Sequence, residues 1–393
     1  PTRRSSDLAM LAHFLPARQA LAAGCPLCRH SRSLATPSSS SSASSRAGVI
    51  PPAVLDLTEI LNDPEYIKQN LRDRRFPLGV EVVDEIRRME LEAIGLRREL
   101  QRARERRNAV STSPSGSKGP PSDASAKSEG AVIKALVKSL EPRLSLLTKT
   151  LQSLALQLPN TSHPSSPIGD ESAAITVATF GPSIPSAPPP ADPQRDHLRL
   201  SSPSNLAWTD FPSSSLISGA SWPLLTNEGA LLELALTNYA MSVALKHGFI
   251  PVLTPDVVRS EVAERCGFRP RDGDAQQTYF LEDGTPAPAL CLVGTAEVPL
   301  VAMSAAKVFQ EAQLPLKYVA LGRAFRAEAG ARGADSRGLY RVHQFSKVEM
   351  VVVCAEGDSD RILQELRAMQ EEILGALGLS LRCVSHHVLG DED

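Results

Sequence analysis

The densest chemistry in the chain lies in residues 323–349, RAFRAEAGARGADSRGLYRVHQFSKVE. Arg323 is followed by Arg326, Arg332, Arg337 and Arg341, and the stretch carries Glu328 and Glu349 beside a loop with three glycines. Apolar runs flank it, KYVALGRAF before and MVVVC after, and both read as strands. A surface hairpin would tolerate this much charge. A site that holds a phosphate and an amine would require it. Arg326 and Glu328 are two residues apart, so a continuing strand puts them on one face. Phe345 and Glu349 are four apart and share a face for the same reason. Glu349 lies between apolar Val348 and Met350, where a carboxylate has little purpose unless it meets a ligand. His343 is read as a packed structural histidine, because nothing in the stretch demands a base.

The elements that position these residues follow an α+β pattern. Residues 229–249, GALLELALTNYAMSVALKHGF, have helical spacing and stop at Gly248. IPVLTPDVV (250–258) is strand-like, with prolines suited to an edge. LVGTAEVPL (292–300) opens a strand-to-helix segment that contains Thr295 and Glu297. DRILQELRAMQEEILGALG (360–378) is an amphipathic helix. Antiparallel strands flanked by helices are expected over 196–393.

The preceding half has a different texture. Ile86, Met89, Ala93, Leu96, Leu100 and Ala103, and beyond Arg107 Val110, recur at alternating steps of three and four. Leu140, Leu144, Leu147, Leu151, Leu154 and Leu158 repeat the alternation, which is the seam spacing of a coiled coil. Between the two runs, residues 111–130 are too rich in Ser, Pro and Gly for helix, and Pro142 should kink or break the second run. An antiparallel helical hairpin is expected within residues 51–170, then a linker over 171–195. From Tyr66 to Leu158 there are 18 Lys and Arg against 11 Asp and Glu. The cluster RRELQRARERR contains Arg97, Arg98, Arg102, Arg104, Arg106 and Arg107. An exposed coiled coil needs a charged face in any case, but a surplus near a free-standing tip suits a nucleic-acid backbone.

Bulk properties exclude little. The 393 residues allow two or three domains, and the net charge of -2 exerts no global pull on nucleic acid. Cys25 and Cys28 form a CxxC without a second pair, so reduced thiols are expected rather than structural zinc. No apolar run approaches the roughly 18 residues of a membrane helix. Residues 1–50 hold six arginines, Asp7 as the one acid, and a serine tract. That is the composition of an organelle transit peptide, with a plain N-terminal tail as the alternative.

FRAEAGARGADSRGLYRVHQFSKVEM resembles the second signature motif of class II seryl-tRNA synthetases. LVGTAEVPL resembles that family's serine-binding segment, GALLELALTNYAMSVALKHGFIPVLTPDVV its motif 1 at a dimer interface, and the hairpin its tRNA-binding arm. The resemblance implies serine and the tRNA for serine as substrates, ATP with Mg2+, and a homodimer. It implies that Arg326 grips the α-phosphate of ATP and the serine carboxylate, which a planar guanidinium does at a fixed angle. It gives Glu328 the adenine side of ATP, and Phe345 stacking on the adenine ring. Glu349 would pair with the serine ammonium, and Thr295 would bind the substrate amine or hydroxyl, with Glu297 in the same segment. Arg341 would touch phosphate or the tRNA acceptor end, and Arg332 and Arg337 would meet the acceptor end unless their loop is simply solvated. By the same resemblance the chain stops before a third motif, so it is expected to be a C-terminally truncated fragment that forms no adenylate alone. A mitochondrial location is expected, with plastid or cytoplasm as alternatives. Two other readings remain: a non-catalytic paralogue that binds tRNA or serves a structural role, and a coiled-coil module that accounts for residues 80–158 only.

Overall fold

The computed structural model describes residues 55–112, 123–181, 192–268, 277–281, 289–328 and 337–385. The expected transit segment, Cys25, Cys28 and Arg332 lie outside them.

Two short helices, α1 (Thr58–Asn62) and α2 (Pro64–Asp73), precede a pair of long ones, α3 (Glu81–Thr112) and α4 (Asp123–Ala155). Asp63 caps α2 by accepting from the Tyr66 N–H at 3.1 Å, with Pro64 at the first helical position. The predicted seam is the packed interface. Leu96, Leu100 and Ala103 of α3 meet Ile133, Val137 and Leu140 of α4. At the base, Val83, Ile86 and Met89 close against Leu151, Ala155 and the apolar faces of α1 and α2. The side chain of Val110 falls outside the described residues.

This hairpin differs from expectation at Asp123–Gly130, and at Pro142 it shows no break. Asp123–Gly130 is helical rather than loop, because helix propagates cheaply outward from a packed nucleus. Pro142 does not break α4. Pro142 and Lys138 are both exposed, so the carbonyl that loses its partner faces water while Leu140 and Leu144 stay in the seam.

The segment read as a linker contains β1 (Ile175–Phe180), a run rich in β-branched residues. It continues through Pro193–Arg195 into α5 (His197–Ser201) and α6 (Phe211–Ser218), then α7 (Asn227–Lys246). Past Gly248, whose φ of 81° closes that helix, come β2 (Ile250–Val252), β3 (Val257–Arg259) and α8 (Ser260–Arg265). The remainder runs β4 (Phe280–Leu281), β5 (Leu290–Leu292), α9 (Glu297–Ala302), β6 (Leu316–Phe325), β7 (Gln344–Val353), α10 (Ser359–Gly375) and β8 (Leu381–Ser385).

Among the described residues three sheets form, in orders β1-β8, β2-β6-β7 and β3-β5-β4. The central hairpin β6–β7 is antiparallel over its full length, from Leu316 opposite Val353 to Phe325 opposite Gln344. Edge strand β2, with Pro251, joins β6 in parallel. One face of the hairpin buries Val319, Val348, Met350 and Val352 against Met241 and Ala244 of α7 and Leu366 and Met369 of α10. That packing fixes the hairpin and leaves its other face to meet α9. No helix among the described residues is long and apolar enough to cross a membrane.

Candidate active site

Register decides what the free face of the hairpin presents. Directly opposed residues of an antiparallel pair point to the same side. Phe345, Lys347 and Glu349 therefore share a face with Ala324, Gly322 and Ala320, their respective partners. One strand supplies the functional side chains and the other supplies almost none. This asymmetry lets a second segment approach closely. A Cβ on Gly322 would meet the Ala296 Cβ at 2.7 Å, and Ala296 and Leu300 pack on Ala320. The turn before α9 is thereby pressed onto the face, and it carries Thr295.

Thr295 is only 2% exposed. Its hydroxyl donates to Glu349 Oε1 at 2.7 Å and accepts from Lys347 Nζ and the Glu297 N–H, each at 3.3 Å. Lys347 also forms an ion pair with Glu349. Thr295 and Glu349 are thus brought together, with Lys347, which the sequence analysis did not single out, in contact with both. Glu297 is exposed at the start of α9, and among the described residues its carboxylate does not join this group.

Arg326 follows the last residue of β6. Its N–H donates to the His343 carbonyl at 3.0 Å, and its guanidinium lies over the Phe345 ring with Cζ 5.2 Å from the centroid. Its Nε is buried and has no hydrogen-bond partner among the described residues. An unpaired buried donor on a cation is costly, and an anion seated here would satisfy it. Thr254 Oγ1, below Gly322, is likewise buried without a partner.

Glu328 corrects the sequence reading. The strand stops at Phe325, and Glu328 has a φ of 51°, so alternation does not place it beside Arg326. Its side chain is 13% exposed and is ion-paired with Arg341. Arg341 is thereby tied to the same rim. Arg337 pairs with Asp196 rather than extending from a free loop. The Asp196 carboxyl lies below its usual range: burial opposes this, but the Leu198 N–H and the Arg337 charge outweigh it.

His343 is packed, as its sequence context suggested. Its ring stacks on Trp222 at 5.3 Å, and its Nδ1 lies 2.9 Å from the Tyr279 hydroxyl and 3.1 Å from the Arg326 carbonyl. Burial, then the Glu328 charge, push the Tyr279 phenol above its usual range. His343 thus grips the Arg326 peptide from both sides. Trp222 and Tyr279 were not found from sequence, since they are remote in the chain and lie in no periodic pattern.

A cavity of about 1000 Å³ lies between α6, α7 and the hairpin, lined by Trp208, Trp222, Leu224, Leu232 and Phe345 among others. Of the side chains on the polar face it shares only Phe345, and its apolar walls suit a protein contact better than a phosphate.

On the arm, Arg97 pairs with Glu90 at 2.7 Å and Arg104 with Glu141 at 2.8 Å. Arg98, Arg102, Arg106 and Arg107 are exposed and make no ion pair among the described residues. The first three of these are four residues apart and form one stripe.

Residues 54–162 match the seryl-tRNA synthetase N-terminal domain, and residues 279–392 match the class II tRNA synthetase core domain for glycine, histidine, proline, serine and threonine. A serine--tRNA ligase of Treponema denticola is 36% identical over 337 residues, covering 84% of this chain and 75% of that protein. The mitochondrial serine--tRNA ligase of Schizosaccharomyces pombe is 31% identical, covering 85% and 69%. Among solved structures, seryl-tRNA synthetase of Pyrococcus horikoshii complexed with ATP superposes with a TM-score of 0.70 at 29% identity, over 85% of this chain and 77% of that one.

Proposed function

The chain belongs to the seryl-tRNA synthetase family, a class II ligase lineage, and we propose that the polar face of the β6–β7 hairpin is where serine and ATP are joined. The reaction is activation of serine with ATP to seryl-adenylate, then transfer to the 3′ end of the tRNA for serine. The observation that carries the placement is the buried Nε of Arg326, unpartnered among the described residues, beside a Thr295–Glu349 pair. Arg326 receives the α-phosphate and the serine carboxylate, and Phe345 stacks on the adenine. Glu349 and Thr295 take the serine ammonium and hydroxyl. Glu328 lies at the adenine side, and Arg341 at the rim toward the phosphates. The carboxylate attacks the α-phosphorus in line and pyrophosphate leaves. Placement and charge neutralisation, rather than proton transfer, do most of the work. His343 holds Arg326 and abstracts nothing.

Magnesium would arrive on the phosphates of ATP, its usual mode of binding. Among the described residues no group of three or more His, Cys, Asp or Glu gathers to cage it.

Residues 51–170 are the tRNA arm in this reading, and 196–393 belong to the catalytic domain. Arg98, Arg102 and Arg106 offer unpaired charge to the tRNA backbone, and Arg97, Arg104 and Arg107 flank them. A homodimer through α7 accounts for the apolar cavity and for Leu231 and Leu234, which are 64% and 56% exposed. The Arg- and Ser-rich, acid-poor residues 1–50, and the mitochondrial relative from fission yeast, support a mitochondrial location.

Calorimetric titration with non-hydrolysable seryl-, alanyl- and threonyl-adenylate analogues tests the proposal. The seryl analogue binds, and the alanyl analogue is weaker by roughly 10⁴-fold because it leaves buried polar groups unpaired. Equal binding of the first two would refute a serine site at Thr295 and Glu349.

A further inference from the structure

Lys347 has no part in that scheme, yet it sits at its centre. Its ammonium is ion-paired with Glu349 and lies 3.3 Å from Thr295 Oγ1. Those are the two groups assigned to the serine ammonium and hydroxyl. A lysine ammonium and the α-ammonium of serine offer the same kind of donor, and two cations do not share one carboxylate without repulsion.

We propose that Lys347 is a stand-in for the substrate ammonium, and that its displacement couples serine binding to the nucleotide. The inference rests on the placement of serine at Glu349. In the empty site Lys347 neutralises Glu349 and accounts for its burial. Arriving serine takes over the carboxylate and evicts Nζ. The side chain is 36% exposed and has a flexible four-carbon stem, so it has room to move. Phe345 is two residues back on the same face, roughly 7 Å along the strand, and Arg326 lies over its ring. The evicted ammonium swings toward that end, where the serine carboxylate and α-phosphate collect. A single cation thus counters Glu349 before serine binds and the reacting anions afterwards. Linkage makes the effect mutual: bound nucleotide draws Lys347 away from Glu349 and tightens serine by the same factor.

The experiment is a pair of calorimetric serine titrations on the full chain, without nucleotide and with saturating α,β-methylene-ATP and magnesium. For the wild type, the nucleotide analogue tightens serine by about 5- to 150-fold, the usual span of such couplings. In Lys347→Met, serine alone binds at least as tightly as to the wild type, and the coupling falls to about twofold or less, near the lower limit of a resolvable linkage. Unchanged coupling in a folded Lys347→Met protein overturns the proposal and leaves the serine site standing. A wild type that does not bind serine overturns the site itself, and this inference with it. If the variant does not fold, a structure of the wild type with serine decides. Nζ remaining on Glu349 beside the bound ammonium contradicts displacement, and Nζ turned toward Arg326 supports it.

Discussion

The arm and the hairpin face carry similar residues under opposite physical conditions. On α3 the arginines stand in water: Arg97 pairs within the helix, Arg104 pairs across to α4, and Arg98, Arg102 and Arg106 make no ion pair among the described residues. Exposed pairs contribute little each, and their field is screened by salt. On the hairpin, Arg326 and Glu349 are held between packed segments, with a polar atom left unpaired and a threonine hydroxyl spent on one carboxylate. There a single charge has a fixed job. The same two residue types therefore serve as a diffuse grip in one region and as a geometric instrument in the other.

Substitutions can break or sharpen that contrast. The largest effect belongs to Arg326→Lys, which keeps the charge and removes the fork. Affinity for the seryl-adenylate analogue falls about 10²-fold or more by titration. A change of a few-fold would place Arg326 with the arm residues. Glu349→Gln comes next: affinity for serine drops at least tenfold, with little response to salt, because the lost partner is a mostly buried charge. Gly322→Ala tests the close approach rather than the charge. Its Cβ has no room beside Ala296, so thermal unfolding should show a loss of about 1–3 kcal/mol.

Arg98→Ala, Arg102→Ala and Arg106→Ala each weaken tRNA binding by only a few-fold. Each also lowers the slope of log affinity against log salt by about one, as loss of a single phosphate contact does. A large, salt-independent loss at any of them would contradict the diffuse reading. The smallest effect concerns the Asp196–Arg337 tether. The Asp196 carboxyl is depressed in the folded protein, so its stabilisation is complete above the ordinary aspartate range near about 4 and fades as pH falls through the folded value. Asp196→Asn should flatten that small acid-side loss in a pH series of unfolding curves.

How much of this the sequence disclosed also divides by region. The arm was legible almost residue by residue, because a heptad seam is a local pattern and Leu96, Leu100, Ala103 and Leu140 had only to meet one another. Its failure was at Asp123–Gly130, where composition lost to cooperative helix packing, and at Pro142 the helix runs on without a break. On the hairpin, alternation correctly put Phe345 and Glu349 on one face. It misled at Glu328, because the strand ends at Phe325 and the chain turns through a left-handed residue. Lys347 is the middle member of the same alternation but was not singled out. Its role was not legible, since that depends on Thr295, 52 residues away in the chain. Spacing within one strand reports which side a residue faces, and only the fold reports what is pressed against it.

The most direct test is a crystal structure of the protein with the seryl-adenylate analogue bound. The phosphate isostere is expected within hydrogen-bonding distance of Arg326 Nε, the adenine on Phe345, and the serine ammonium and hydroxyl on Glu349 and Thr295. An analogue lodged instead in the apolar cavity between Trp208 and Leu232, or elsewhere away from the hairpin face, would contradict that placement.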